Sequence, residues 1–432
     1  MVLFYHTSFE FLLKGAFFFM EKTPVYLIFV DPDNNGSDSN KEYQITPLGD
    51  GTFKAEWGRV GGHHSSKIYP MSDWDKILNS KIKKGYVERT NLMSDVIEDS
   101  KESASDTKDE FEVISNISVR TIIKRLYNYA NQVIQTAYRV SAGVVTQAMV
   151  DAAQVQIDFI SNNYETMSIE EFNKELIKLF QIIPRKMQKV SYHLAGDKNN
   201  FEKIISREQD TLDAMAGQVY KPVEKKVSQQ INSDTISILD KMGIVMDDID
   251  ANDEKIIKKL LSKESEGRYV KAWRVTNLKS GERFKKYCED NNITNKKLFF
   301  HGTRSQNVFS ILRNSLLLKP SNVIINGKMF GFATYMANRA KKSIGYTSVN
   351  GSYWARGGDS RGYLIIFETA YGKPYDIYTY NSSYSQLTKE RLAQLDPTAN
   401  CVHAHAGASI VNDEIMFYDE AAVNMKYLVE IK

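Results

Sequence analysis

Apolar residues along this 432-residue chain change their period several times, and those changes divide it into segments. Val25-Tyr-Leu-Ile-Phe-Val30 is an unbroken apolar run of strand length, followed by shorter strand patterns at Glu42–Ile45 and Phe53–Gly61. The turn clusters Asp33-Asn-Asn-Gly36 and Gly49-Asp-Gly51 separate them, as hairpins require. The period then becomes helical. Val119, Ile122, Ile123, Leu126, Ala130, Val133 and Ile134 recur at helical spacing behind Ser118, which predicts an N-cap there. Ser168-Ile-Glu-Glu171 reads as a capping box leading into Phe172, Leu176, Leu179 and Phe180, and Pro184 stops that helix. Further helices are expected around Thr211–Val219, Asp234–Lys241 and Asp253–Leu261.

Strand patterns return in the last third, at Val270–Val275, from Leu298, at Leu364–Phe367 and at Ile415–Tyr418. Val423–Ile431 alternates apolar and polar residues almost perfectly, which predicts one wet face. The expected architecture is therefore multidomain α+β. A small β-rich domain spans 22–93, an acidic linker 94–115, an all-α bundle 116–265 and a mixed α/β domain 266–432. Residues 1–21 are rich in Phe and Leu but carry Glu10 and Lys14. They are too short for a clean membrane span and lack a basic start and a cleavage site, so they read as an extension, with Met20 an alternative start.

Composition narrows the function. At 42% hydrophobic the chain can build several cores. Its two cysteines, Cys288 and Cys401, permit neither a disulfide framework nor a CxxC zinc site and fit a reducing compartment. A net charge of +3 means that nucleic-acid binding must come from local patches. There is no GxGxxG, P-loop or nucleophilic triad. The histidines of Asn400-Cys-Val-His-Ala-His-Ala406 stand at i, i+2, but without further ligands in view they are expected on a surface or loop, with no metal.

Three segments carry chemistry. His301 lies in Leu298-Phe-Phe-His-Gly-Thr-Arg304, Tyr335 in Met329-Phe-Gly-Phe-Ala-Thr-Tyr-Met-Ala-Asn338, and Glu414 opens an apolar strand in Val411-Asn-Asp-Glu-Ile-Met-Phe-Tyr418. Together they resemble the His-Tyr-Glu signature of the poly(ADP-ribose) polymerases. The resemblance implies a mixed α/β ADP-ribosyltransferase domain with an antiparallel β core, taking NAD⁺ as co-substrate and needing no metal. Cleaving the nicotinamide–ribose bond builds positive charge on the ribose, as in glycoside cleavage, and a carboxylate stabilises it. By resemblance Glu414 takes that role and bonds the ribose 2′-hydroxyl, while His301 binds the adenine-side ribose. Tyr335 and Tyr346 flank the nicotinamide ring, Gly302 and Ser343 hold its carboxamide, and Thr303 and Arg304 complete the NAD⁺ site.

The first domain carries Trp57-Gly-Arg-Val-Gly61 and the basic stretch Lys81-Ile-Lys-Lys-Gly-Tyr86, which resemble the WGR domain of the DNA-dependent members. Trp57 can stack at a strand end and Arg59 can fork onto a phosphate, with Gly58, Lys81, Lys83 and Lys84 completing a DNA-binding set. The helical segment resembles the regulatory domain that precedes the transferase in those members. Glycines 143, 217 and 243 would leave its packing marginal. The implied function is DNA-break-stimulated transfer of ADP-ribose to proteins, the chain itself included, with elongation to polymer. The implied protein is a monomer without DNA and not membrane-bound, nuclear in a eukaryote and otherwise cytoplasmic, and not secreted. Phe332-Ala333 stands where the family has a lysine thought to position acceptors, which bears on acceptor choice, and the donor-site border Lys319–Lys328 is short. A mono-ADP-ribosyltransferase and a catalytically silent DNA-end scaffold remain as alternatives.

Overall fold

The computed structural model describes residues 22–34, 37–92, 110–137, 146–216, 236–318, 329–331, 333–353, 355, 357–407 and 410–432. The expected extension 1–21, most of the acidic linker, Gly143, Gly217, Phe332 and the segment 319–328 lie outside the described residues.

Five antiparallel strands, β1 (Val25–Asn34), β2 (Ser37–Pro47), β3 (Thr52–Arg59), β4 (His64–Pro70) and β5 (Val87–Glu88), form the first sheet in the order β4-β3-β2-β1-β5. The run Val25–Val30 is apolar throughout because both of its faces are covered. Val25 and Leu27 join Phe53, Ala55 and Trp74 of helix α1 (Trp74–Lys83), whereas Tyr26, Ile28 and Val30 pack under helices from the middle of the chain.

Those helices are α2 (Ile117–Ala137), α3 (Gln147–Asn163), α4 (Ile169–Ile182) and α5 (Phe201–Ala216). The capping box of α4 is formed as expected, Ser168 and Glu171 satisfying each other's backbone N–H. The expected cap at Ser118 is not. Asn116 Oδ1 accepts from the Ser118 and Val119 amides, while Ser118 Oγ donates to Asp248 and accepts from Trp273 Nε1. The serine is used to hold α2 against another part of the chain. Helix α5 also begins ten residues before the expected Thr211.

The helical segment does not form a free-standing bundle among the described residues. Helices α3, α4 and α5 share an apolar cluster with the outer face of β1. Helix α2 buries Val119, Ile122, Ile123, Leu126 and Ala130 against Phe309, Leu312, Trp273 and Tyr363 of the C-terminal part. Helix α6 (Ile238–Met242) ends at Gly243, whose φ of 66° makes the turn into a strand that periodicity missed, β6 (Ile244–Asp248).

That strand edges the second sheet, β6-β7-β14-β10-β8, with β7 (Tyr269–Asn277), β8 (Lys297–Gly302), β10 (Gly362–Thr369) and β14 (Val423–Ile431). The sheet thus reaches N-terminal of residue 266, and helix α7 (Ala251–Ser265) packs on it through Ile257 and Leu261. Helices α8 (Leu278–Asp290) and α9 (Ser305–Asn314) cover the opposite face with α2. Strand β14 therefore shows the wet face its alternation predicts only in its first half, where Asn424 and Lys426 are half-exposed. In its second half even Glu430 is buried, neutralised by Arg125 of α2 at 2.7 Å. A third sheet, β11-β12-β13-β9, comprises β9 (Thr334–Met336), β11 (Pro374–Ile377), β12 (Cys401–Ala404) and β13 (Glu414–Phe417). It meets the second through a bridge between Phe300 and Ala337. No helix among the described residues is long and apolar enough to cross a membrane.

Candidate active site

The junction of these two sheets gathers expected site residues from three elements. Strand β8 ends in His301 and Gly302, helix α10 (Ala340–Ile344) carries Ser343, and β13 begins with Glu414. His301 Nδ1 lies 3.1 Å from the Tyr335 carbonyl. A carbonyl can only accept, so Nδ1 is assigned the proton, which leaves Nε2 as an acceptor.

Gly302 is dictated by space. A Cβ there would lie 1.8 Å from the Ser343 carbonyl oxygen and 2.6 Å from its carbon, both backbone atoms that cannot rotate away. The approach seats α10 on β8, and Ser343 Oγ donates to the Phe300 carbonyl at 3.2 Å. Tyr335 donates its hydroxyl to the Gly331 carbonyl at 2.9 Å and accepts from the Phe330 amide at 3.1 Å. Burial raises its phenol pKa strongly, so it stays neutral. Tyr346 bonds back to Ser343 through its amide at 3.1 Å. Its phenol is also shifted up, by burial and then by the Glu414 charge.

Glu414 has a partner that the sequence reading missed. Lys342 Nζ pairs with Glu414 Oε1 and reaches the Asp413 carbonyl at 3.3 Å. The other carboxylate oxygen, Oε2, is buried with no hydrogen-bond partner among the described residues. One oxygen is anchored and the other is left to accept. Burial lowers the Lys342 pKa below the usual lysine value, an effect partly opposed by the Glu414 charge. The available signal was the position of Lys342 directly before Ser343.

Thr303 and Arg304 continue from the end of β8. Thr303 Oγ1 accepts from Asn307 at 3.2 Å. Arg304 caps α9 by position, and its Nη1 lies 3.9 Å from Asp210 on α5. A residue expected to face NAD⁺ thus lies within ion-pairing range of the middle helices.

The expected DNA-binding residues form two groups. Trp57 stacks on Tyr43 with ring centroids 5.7 Å apart, and Lys81 Nζ sits 4.0 Å above the same Tyr43 ring. Lys83 and Lys84 are exposed on the adjoining helix end. Gly58 is required by packing, because a Cβ would meet the His63 carbonyl at 2.5 Å. Arg59 points elsewhere. It donates to the Met187 carbonyl at 3.0 Å and to that of Gln188, and lies 3.6 Å from Asp38, whose carboxylate accepts from the Val190 and Ser191 amides. Its guanidinium is a tie between the first sheet and the segment joining α4 to α5.

Comparison with known families matches residues 252–432 to the poly(ADP-ribose) polymerase catalytic domain. The chain is 32% identical over 165 residues to a putative poly [ADP-ribose] polymerase-like protein, 100L, of Invertebrate iridescent virus 6, covering 37% of this chain and 84% of the viral one. It is also 32% identical over 208 residues to protein 101L of the same virus, covering 48% and 82%. Poly [ADP-ribose] polymerase 1 of Gallus gallus is 25% identical over 339 residues, covering 69% of this chain and 30% of its own length.

Proposed function

The chain belongs to the poly(ADP-ribose) polymerase family and is an NAD⁺ ADP-ribosyltransferase, and we propose that it modifies protein acceptors, elongates the product to polymer and is stimulated by broken DNA. The residues at the sheet junction fit the co-substrate. The Gly302–Ser343 contact offers a narrow cradle with no side chain in the way, and Glu414 keeps a buried oxygen that wants a donor. In this reading Gly302 and Ser343 hold the carboxamide, Tyr335 and Tyr346 flank the nicotinamide ring, and His301 Nε2 receives the adenine-side ribose. NAD⁺ itself supplies the leaving group. Glu414 Oε2 accepts from the nicotinamide-ribose 2′-hydroxyl and stabilises charge as it develops, with Lys342 holding that carboxylate in place.

The observation that carries stimulation by DNA is the position of helix α5. It packs on α2 and α9 and brings Asp210 to within 3.9 Å of Arg304, so the middle helices reach a residue expected to face NAD⁺. At their other end the same helices are tied to the first sheet through Arg59. DNA held on Trp57, Lys81, Lys83 and Lys84 would act by binding more tightly to a state in which α5 has moved off Arg304. The first sheet then plays the part of a WGR domain and the helices that of a regulatory domain. Phe332-Ala333, in place of the family's lysine, favours mono-ADP-ribosylation as the second reading.

Incubation with labelled NAD⁺, with and without nicked DNA, followed by sizing of the product, tests the reading. Polymer that rises with DNA is expected, and Glu414→Gln should lose elongation by orders of magnitude while retaining a nicotinamide analogue. Single ADP-ribose units from the wild type would establish the second reading. Equal product with and without DNA would remove the stimulation.

A further inference from the structure

The i, i+2 histidines of β12 and the residue after it gain, in the fold, the ligand that the sequence did not show. Strand β11 runs parallel to β12 with Asp376 opposite His403, and the His405 amide bonds to the Ile377 carbonyl. Alternation puts His403 and His405 on one face of the sheet. One donor atom each from Asp376, His403 and His405 lies within 4.8 Å of the others. We propose that these three residues form a binding site for a divalent transition-metal ion of the zinc class, beside the strand that carries Glu414.

The donors are close together, and the two stacked rings must turn before both point at one ion. Tyr371 Oη lies 2.8 Å from His403 Nδ1, so with an ion on Nε2 the ring would carry its one N–H on Nδ1 and donate it to the Tyr371 oxygen. The His403 and His405 rings stack at 4.0 Å and 14°, and Tyr378 stacks on the far side of His405 at 4.5 Å and 7°. His405 Nε2 lies 2.7 Å from Asp376 Oδ1, so an ion would take the place of the hydrogen between them, with the neutral ring keeping its one N–H on Nδ1. Asp413 Oδ2 is 3.1 Å from His403 Nε2 and stands ready as a fourth donor. Its other oxygen is held by the Ala406 amide at 2.8 Å, and Asn338 also donates to Oδ2 at 2.7 Å. Two imidazoles with one or two carboxylates suit zinc-class ions; magnesium and calcium prefer oxygen donors alone. Because Asp413 directly precedes Glu414 and its carbonyl receives Lys342, the site adjoins the catalytic carboxylate through one peptide bond.

The test is Zn²⁺ binding to the full chain, measured by competition with a chromophoric chelator, alongside the visible absorption of the Co²⁺-loaded protein. Wild type should bind one equivalent, and Co²⁺ should give the d–d bands of a four-coordinate N/O site. Asp376→Asn should weaken binding by about tenfold or more and His405→Gln by about a hundredfold, with excess Mg²⁺ failing to compete. Asp376 is exposed, so its variant keeps the fold even where a histidine variant does not, and unchanged thermal unfolding checks this. Absence of stoichiometric Zn²⁺ binding by wild type, equal affinity in Asp376→Asn, or displacement by Mg²⁺ would each overturn the site.

Discussion

Replacing Lys342 by Met removes one charge from the catalytic pair and keeps nearly the same shape. The side chains of Lys342 and Glu414 are only 14% and 16% exposed, so solvent cannot substitute for the lost partner. Breaking a fully buried pair costs about 3–5 kcal/mol, and the residual exposure here argues for somewhat less, about 2–3 kcal/mol of stability. The carboxylate would then have no partner on either oxygen, since Oε2 already lacks one. It would relax towards solvent, which moves a placed negative charge away from the reacting ribose. Loss of one preorganised electrostatic contact of this kind lowers turnover by about 10²–10³-fold. The assay is kcat and KM for labelled NAD⁺, with binding of a nicotinamide analogue and thermal unfolding measured in parallel. A fall of about a hundredfold in kcat, with analogue affinity nearly unchanged, is expected. Turnover within about threefold of wild type would show that Glu414 is positioned without Lys342 and refute the argument.

Gly302→Ala must push the Ser343 backbone away by roughly 1 Å, and misplacement of that size costs about a hundredfold in activity; an active variant that still binds nicotinamide analogues would show that the close approach is dispensable. Because burial lowers the Lys342 pKa, the alkaline limb of kcat/KM should begin below the ordinary lysine value of 10.5 and move upward in Lys342→Arg. Stability has the opposite sign: between the lowered value and 10.5 the unfolded chain holds a proton that the native one has lost, so stability rises with pH, and a falling thermal midpoint in that window would assign the activity loss to unfolding. Asp210→Ala should raise activity without DNA several-fold by releasing α5 from Arg304, and an unchanged basal rate would separate that contact from regulation. Trp57→Ala should weaken affinity for nicked DNA, whereas Arg59→Ala should chiefly reduce the stimulation at saturating DNA; identical effects in fluorescence-polarisation and activity titrations would remove the distinction.

The sequence by itself determined what depends on local spacing. The capping box at Ser168 and Glu171, the strands at the ends of which His301 and Glu414 stand, and the order His301, Tyr335, Glu414 are all properties of a few neighbouring residues. Local signals failed where a distant partner set the outcome. Ser118 looked like a helix cap until Asp248 and Trp273 claimed its hydroxyl, and β14 looked half-wet along its whole length until packing covered its second half and Arg125 neutralised Glu430. For the helices expected between 116 and 265, periodicity shows that a face is apolar without showing what it packs against. Only the tertiary structure set α2 on the C-terminal core and α3 to α5 under the first sheet, with α5 also packed on α2 and α9. The same limit hid the pair of Lys342 with Glu414, 72 residues apart, and the approach of Asp376 to His403 and His405. A charge or a ligand has its chemistry from its side chain, but its partner is chosen by the strand register and helix packing that bring separated segments together.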